Sequence, residues 1–264
     1  MTLDVASRWM KQIEISSTQV VTREAPGKKH LEVEVYFSKV TEARKFQKQH
    51  CGTIRVLKKS DWLKERKFFL GVPPVCITSA HGERGAKYPF PIYIPAGMAF
   101  GTGEHATTEM CLRQLVKMGR REKRDVLDAG TGSGILALAA AALGHRVSGI
   151  DCDEVCIREA KKNALLNAHI PKVRWKKVSL EKLSDEAASY DVITANLFSD
   201  ILVGEMEHLA RLLKPEGRLI LSGILKEQAG DVVRAIRDAK LTILRQLRKG
   251  KWVCILAEKS KIRF

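Results

Sequence analysis

A chain of 264 residues that is 45% hydrophobic and 29% charged has room for one large domain and one small one, which excludes a disordered or fibrous class. Its six cysteines stand apart at 51, 76, 111, 152, 156 and 254 without any C-x-x-C, so the reading is reduced thiols in a cytoplasmic protein, with no disulfide framework and no metal site. The net charge of +16 is spread over both halves and leaves two readings open, a solvated basic surface or proximity to RNA and ribonucleoprotein.

Taken in chain order, segments 9–15 and 31–37 read as strands, since Leu31, Val33, Val35 and Phe37 alternate with Glu32, Glu34 and Tyr36. Residues 41–50 carry a helical pattern and Thr53 to Leu57 another strand. The result is a small α+β module over 1–58, of ferredoxin-like type but reduced, because Gln12 to Lys29 leaves little space for a full first helix. Lys58 to Gly71 is basic and aromatic, and prolines at 73, 74, 89, 91 and 95 exclude helix around them, so 59–90 is expected to be a linker with some strand content. The longest apolar run, Ile135 to Leu143, is about half of what a bilayer span needs, and the N-terminus carries no apolar signal core, so no membrane association is expected.

From about residue 105 the rhythm changes to helix and strand in alternation. Helices are predicted at 105–118, 134–143, 153–167, 199–213 and 226–239. Strands are predicted at 125–129, 146–150, 173–178, 190–195, 217–222, 241–248 and 252–258. Such alternation gives an α/β domain over 91–264, with a mostly parallel seven-stranded sheet covered by helices on both faces. Arg248-Lys-Gly-Lys leaves no room for a crossover, so the last two strands form a hairpin and one edge strand is expected to be antiparallel.

The most informative stretch is Asp125-Val-Leu-Asp-Ala-Gly-Thr-Gly-Ser-Gly, an apolar strand running into a glycine turn and an alanine-rich helix, with Asp151 ending a second strand about 20 residues after the turn. Glycines let backbone approach a ligand closely, and an acid at that distance reaches ribose hydroxyls. Gly130, Gly132 and Gly134 give G-x-G-x-G rather than the dinucleotide G-x-G-x-x-G, and no Walker lysine follows. A carboxylate at Asp128 would repel phosphates and suits a cationic amino-acid ligand such as S-adenosylmethionine. Gly130, Asp151 and Asn196 all stand at strand carboxyl ends, where sheets of this kind bind ligands. The bland reading of the glycines is a structural turn, and that of Asn196 a strand end closed by turn hydrogen bonds.

Pro95-Ala-Gly-Met-Ala-Phe-Gly-Thr-Gly-Glu-His-Ala-Thr-Thr-Glu, the glycine turn, Gly149-Ile-Asp-Cys-Asp, Ala195-Asn-Leu and Leu221-Ser-Gly-Ile-Leu together resemble the PrmA family, which methylates ribosomal protein eleven of the large subunit. The turn and Asp151 are generic to class I methyltransferases; the stretch from Phe100 to Thr108 and Ser222 to Leu225 are more specific. The resemblance implies transfer of methyl groups from S-adenosylmethionine, leaving S-adenosylhomocysteine, to lysine ε-amines and also to the α-amine of that protein. It implies cofactor contacts from Thr108, Gly130, Asp151 and Asn196, beside Asp128 and Gly132, which are read as contacts from the turn itself, with Phe100, Thr102 and Gly103 as a flap and Ser179 and Leu180 beside the adenine. Asn196 is the candidate catalytic residue, orienting the amine, and Leu197 and Phe198 would wall the lysine stem. His105 reads as a helix-start histidine bonded to local polar groups. A monomer is expected. The rival readings are a methyltransferase of RNA or of another amine on the same sheet, a nicotinamide oxidoreductase, and a silent binding module for ribosomal particles.

Overall fold

The computed structural model describes residues 19–24, 31–36, 40–50, 69–72, 74–78, 88–95, 105–119, 122–184 and 188–261. The strands expected at 9–15 and Thr53 to Leu57, and the flap residues Phe100, Thr102 and Gly103, lie outside the described residues. The chain divides into two compact units, Met1–Lys64 and Glu65–Phe264.

In the first unit, β1 (Gln19–Glu24) runs antiparallel to β2 (Leu31–Tyr36), with Gln19 opposite Tyr36 and Glu24 opposite Leu31. Helix α1 (Val40–His50) follows. Strand β1 is an addition to the elements expected from sequence. Its Val20, Val21 and Thr22 are good strand formers, but one face of so short a run carries no clear alternation.

The second unit opens with a small sheet in which β3 (Phe69–Val72) is antiparallel to β4 (Val75–Thr78) and β4 is parallel to β5 (Phe90–Tyr93). Both β3 and β4 fall inside the stretch read as a linker. Val72, Val75, Ile77 and Ile92 are nevertheless buried in one cluster with helices α2 (Ala106–Lys117) and α3 (Ile135–Ala142), so this segment contributes core rather than mere connection. Helix α4 (Glu154–Leu166) ends at Asn167, whose amide accepts from Tyr93 N–H and donates to Tyr93 O, both at 2.7 Å, tying β5 to the larger fold.

The main sheet contains β6 (Asp125–Ala129), β7 (Arg146–Asp151), β8 (Arg174–Lys177), β9 (Tyr190–Asn196), β10 (Leu213–Leu225), β11 (Leu241–Lys249) and β12 (Trp252–Lys259). Their order is β11-β12-β10-β9-β6-β7-β8, and only β12 opposes the rest. The fold is therefore the expected α/β sheet, with one correction: the antiparallel strand is not at the edge but one place in. The residues explain it. Val253, Cys254, Ile255 and Ala257 are buried, as a strand covered on both faces requires, whereas Arg245, Arg248 and Lys249 line exposed β11 and discourage pairing at an open edge.

Alternate strand residues face two core layers. Val126, Val147, Val192 and Ile220 join α2 and α3 on one side. Leu127, Ile150, Ile193 and Leu221 join α5 (Ser199–Gly204), α6 (Met206–Leu212) and α7 (Ala229–Asp238) on the other. The helix expected over 199–213 is broken after Gly204, where a glycine disfavours continuation, and the helix expected from 226 begins as a 3-10 turn over Lys226–Gln228.

At the amino ends of the strands, Lys214 Nζ donates to Asp125 Oδ2 at 2.9 Å and to Asp191 Oδ2 at 3.0 Å, while Arg146 Nε donates to Asp125 Oδ1 at 2.6 Å. Arg146 first, and then Lys214, hold the Asp125 carboxyl well below the usual carboxylate range. Across the sheet, the Trp175 ring lies against both Gly134 and Gly149. A Cβ at Gly149 would stand 2.5 Å from the ring. Gly149→Ala should therefore cost about 1–3 kcal/mol in urea denaturation, and Gly149→Ala with Trp175→Leu should recover much of it.

Candidate functional site

The turn after β6 is built from glycines with positive φ: 70° at Gly130, 53° at Gly132 and 81° at Gly134. L side chains rarely adopt these values. A Cβ at Gly130 would also meet the Leu197 side chain, which would have to shift to admit it. Thr131 N–H donates to Ile150 O at 2.9 Å, which ties the turn to β7.

Asp128 is the anchor of this turn. It is 1% exposed, and its oxygens accept from Thr131 Oγ1 at 2.6 Å, Thr194 Oγ1 at 2.6 Å and the Ala137 N–H at 3.2 Å. Burial pushes its carboxyl up, and the bonds from Thr131, Thr194 and Ala137 oppose that shift. Asp128 thus has a structural role: the side chain lies behind the turn with each oxygen bonded within the protein, so that any part it takes in holding a cofactor is through the turn it fixes.

Asp151, at the end of β7, is half-buried, and its two oxygens already accept one bond each, from Gly132 N–H and Asp153 N–H, both at 3.0 Å. The Cys156 thiol is hydrogen-bonded to the same carboxylate, and with two lone-pair sites on each oxygen the carboxylate braces the turn and can still accept from a sugar hydroxyl. Beyond β8, Val178 N–H donates to Asp151 O at 2.9 Å and brings Ser179 to the same end of the sheet. Leu180 is buried in the core, so what it offers at this end is backbone.

Asn196 closes β9. Its Nδ2 donates to Thr108 Oγ1 at 3.5 Å, a long bond, and Thr108 is fully buried on α2. Asn196 Oδ1 is buried and, among the described residues, has no hydrogen-bond partner. An amide oxygen in that state costs stability unless a ligand donates to it. Leu197 folds over Gly130, while Phe198 projects into solvent with 71% of its surface exposed. Of the two expected walls, Leu197 is a seal on the turn and Phe198 alone stands free at the rim.

His105 precedes α2, its Nδ1 2.7 Å from Thr107 Oγ1 and its ring edge-on to Trp252 at 4.7 Å. Burial, and secondarily the charge of Lys251, lower its pKa. This is the local bonding expected from sequence. Among the described residues no cluster of His, Cys, Asp or Glu is placed to hold a metal, and no helix is long and apolar enough to cross a membrane.

Sequence reasoning missed three supports. Thr194 is buried beside Asp128, Asn163 Nδ2 donates to Ser133 O at 2.8 Å from α4, and Gly223, with φ of 84°, yields its Cβ space to the Leu197 carbonyl. Only the last had a visible signal, in Ser222-Gly-Ile-Leu. The glycine sits at a bulge in β10, where Leu197 N–H donates to Ser222 O at 3.1 Å.

A family model described as ribosomal protein L11 methyltransferase (PrmA) matches residues 5–260. The ribosomal protein L11 methyltransferase of Thermus thermophilus is 36% identical over 194 residues, 74% of this chain and 74% of that protein. The protein of that name from Ruminiclostridium cellulolyticum is 39% identical over 166 residues, 62% of this chain and 52% of that protein. The chain thus spans about half the length of several of the curated relatives it matches. A crystal structure of ribosomal protein L11 methylase from Lactobacillus delbrueckii subsp. bulgaricus superimposes with a TM-score of 0.65 at 28% identity, covering 73% of this chain and 98% of the other.

Because three donors converge on Asp128, Asp128→Ala should cost about 2–4 kcal/mol of unfolding free energy, and Asp128→Asn less, since one acceptor survives. Urea melts followed by circular dichroism measure both. Equal stability of Asp128→Ala and wild type would remove the anchor role.

Proposed function

We propose, since the chain belongs to the ribosomal protein L11 methyltransferase (PrmA) family, that it is a class I enzyme methylating lysine ε-amines, and the α-amine by the same chemistry, of that large-subunit ribosomal protein with S-adenosylmethionine as methyl donor. The observation that carries the proposal is the buried, unpartnered Oδ1 of Asn196 at the carboxyl end of β9, next to the glycine turn.

The residues fit such a donor. Backbone at Gly130 and Gly132 can approach its amino-acid part without a Cβ intervening, Asp151 keeps lone pairs for the ribose, and Ser179 with the Leu180 backbone would border the adenine. Thr108 would meet the cofactor from α2, and Phe100, Thr102 and Gly103 would cover it. When bound, S-adenosylmethionine supplies an electrophilic methyl group on a cationic sulfur.

The residues' share of the work is geometry and proton control. An in-line displacement needs the attacking amine held on axis in a dry site. A lysine amine with a reference pKa of about 10.4 is mostly protonated at neutral pH and must lose its proton before it attacks. Desolvation near a fixed positive charge lowers that pKa and favours the neutral amine. Asn196 Oδ1 would then accept one N–H and hold the lone pair toward the methyl group. The exposed Phe198 ring offers an apolar surface to the methylene stem. Docking of the substrate protein is assigned to the first unit, Met1–Lys64, with the catalytic work in Glu65–Phe264. A second reading, RNA as the methyl acceptor, is favoured by the net charge of +16 alone.

Asn196→Ala should lower turnover on the order of 100-fold through lost orientation of the amine, while leaving cofactor affinity within a few-fold. Transfer of labelled methyl groups to purified ribosomal protein eleven measures the first quantity, and calorimetry the second. Label confined to RNA would replace the main reading with the second. Asp151→Ala should weaken cofactor binding by about 1–3 kcal/mol, since ribose hydroxyls lose an acceptor and the turn loses a brace. Unchanged affinity by calorimetry would sink the ribose assignment.

A further inference from the structure

The basic residues are not evenly spread over the larger unit. A cavity of about 340 Å³ is lined by Lys123, His145, Arg146, Lys172 and Arg174, together with Gly144, Val147 and Pro171. Among the described residues no carboxylate lines it. Lys123 precedes β6, Arg146 begins β7, Lys172 precedes β8 and Arg174 begins it, so the cavity opens at the amino ends of the strands. The candidate methyl-transfer site lies at their carboxyl ends, roughly 17 Å away along the six residues of β7.

The charge balance there is positive. Arg146 is neutralised by Asp125, but Lys123, Lys172 and Arg174 are exposed and form no ion pair among the described residues. Glu122 is the neighbouring acid in sequence and is exposed. The carboxyl end of α3 also points toward Gly144, and its partial charge of roughly half a unit offsets only a fraction of three full cations. Protection of an open sheet edge explains Arg174, which is on edge strand β8. It does not explain Lys123 and Lys172, which stand outside the strands. Unpaired cations around a concavity of nucleotide size repel one another unless an anion joins them.

We infer that this cavity binds the phosphate backbone of RNA, holding the enzyme to a ribonucleoprotein by the end of the sheet opposite its catalytic site. The choice of RNA over a free anion rests on the proposed ribosomal substrate; the anion site itself does not. Because the two ends are separate, RNA could be held while the carboxyl end remains open to a protein.

The test uses the full chain and a fluorescein-labelled single-stranded oligouridylate, followed by anisotropy across a salt series. Lys123→Gln, Lys172→Gln and Arg174→Gln combined should weaken binding at least tenfold at low salt and reduce the slope of log affinity against log salt by roughly 2. A control removing the same charge elsewhere, Arg237→Gln, Lys240→Gln and Arg245→Gln, should lose much less. Equal losses in the two variants would mean diffuse attraction and overturn the site, as would absence of binding by the wild type. Potassium phosphate replacing chloride at matched ionic strength should displace the oligouridylate only partially, since one phosphate competes with several linked along a chain; complete displacement by phosphate would make this a small-anion site instead. Methylation of free ribosomal protein, assayed without RNA, should be the same in wild type and both variants, so a failed RNA site is distinguishable from a failed methyltransferase.

Discussion

One buried carboxylate holds the carboxyl end of the main sheet together. Asp128 has no exposure with which to meet a ligand, yet its two oxygens gather Thr131 from the turn, Ala137 from the first turn of α3 and Thr194 from the neighbouring strand. A carboxylate inside a protein is tolerable when each oxygen is bonded in this way, and removing a donor leaves a charge with nothing to offset its desolvation. The consequence is a loop of fixed shape. Gly130, Gly132 and Gly134 can then keep their left-handed conformations, and their backbone can be aimed at a ligand in advance of its arrival.

The same economy of space spreads outward from the turn. Leu197 fills the volume that a side chain at Gly130 would need, and its carbonyl fills the volume that a side chain at Gly223 would need. Gly223 is thereby made necessary by the Leu197 backbone, while the Leu197 side chain takes up the room that Gly130 leaves. On the other flank Trp175 does likewise for Gly134 and Gly149. Helix α3 is buried along its whole length from Ile135 to Ala142, and its alanines allow it to lie between the sheet and the cluster that includes Ile77 and Ile92. Small residues here mark close approach, and a strand, a side chain or a ring stands opposite each.

The two ends of the sheet have different chemistry. At the carboxyl ends stand an acid with spare lone pairs, a buried amide oxygen without a partner among the described residues and one exposed aromatic ring, a set suited to a sugar, an amine and an alkyl chain. At the amino ends stand an ion cluster around Asp125 and a concavity lined by cations. The separation keeps the two surfaces electrostatically independent, because the screened field of one disturbs the other little.

Much of this is legible in the chain itself, because the relevant signals are local. The alternation of apolar strand and helix specifies an α/β sheet, the glycine spacing distinguishes this turn from a dinucleotide turn, and Asp151 lies at a distance that a strand, turn and helix impose. Those properties depend on residues within about 20 positions of each other and on backbone geometry alone. Three things depend on residues far apart. Asp128 reads as a ligand contact unless Thr194, on another strand, is known to share its oxygens. The stretch 59–90 reads as a connection unless its valines and isoleucines are known to lie in the core with α2 and α3. The antiparallel strand of the last hairpin reads as the edge of the sheet unless burial of Val253, Cys254, Ile255 and Ala257 is known to draw it one place inward. Sequence determines what each segment can be, since periodicity and turn chemistry act over short range; only the folded chain decides which side chain is satisfied by the protein and which is left for a ligand, since that depends on what burial brings alongside it.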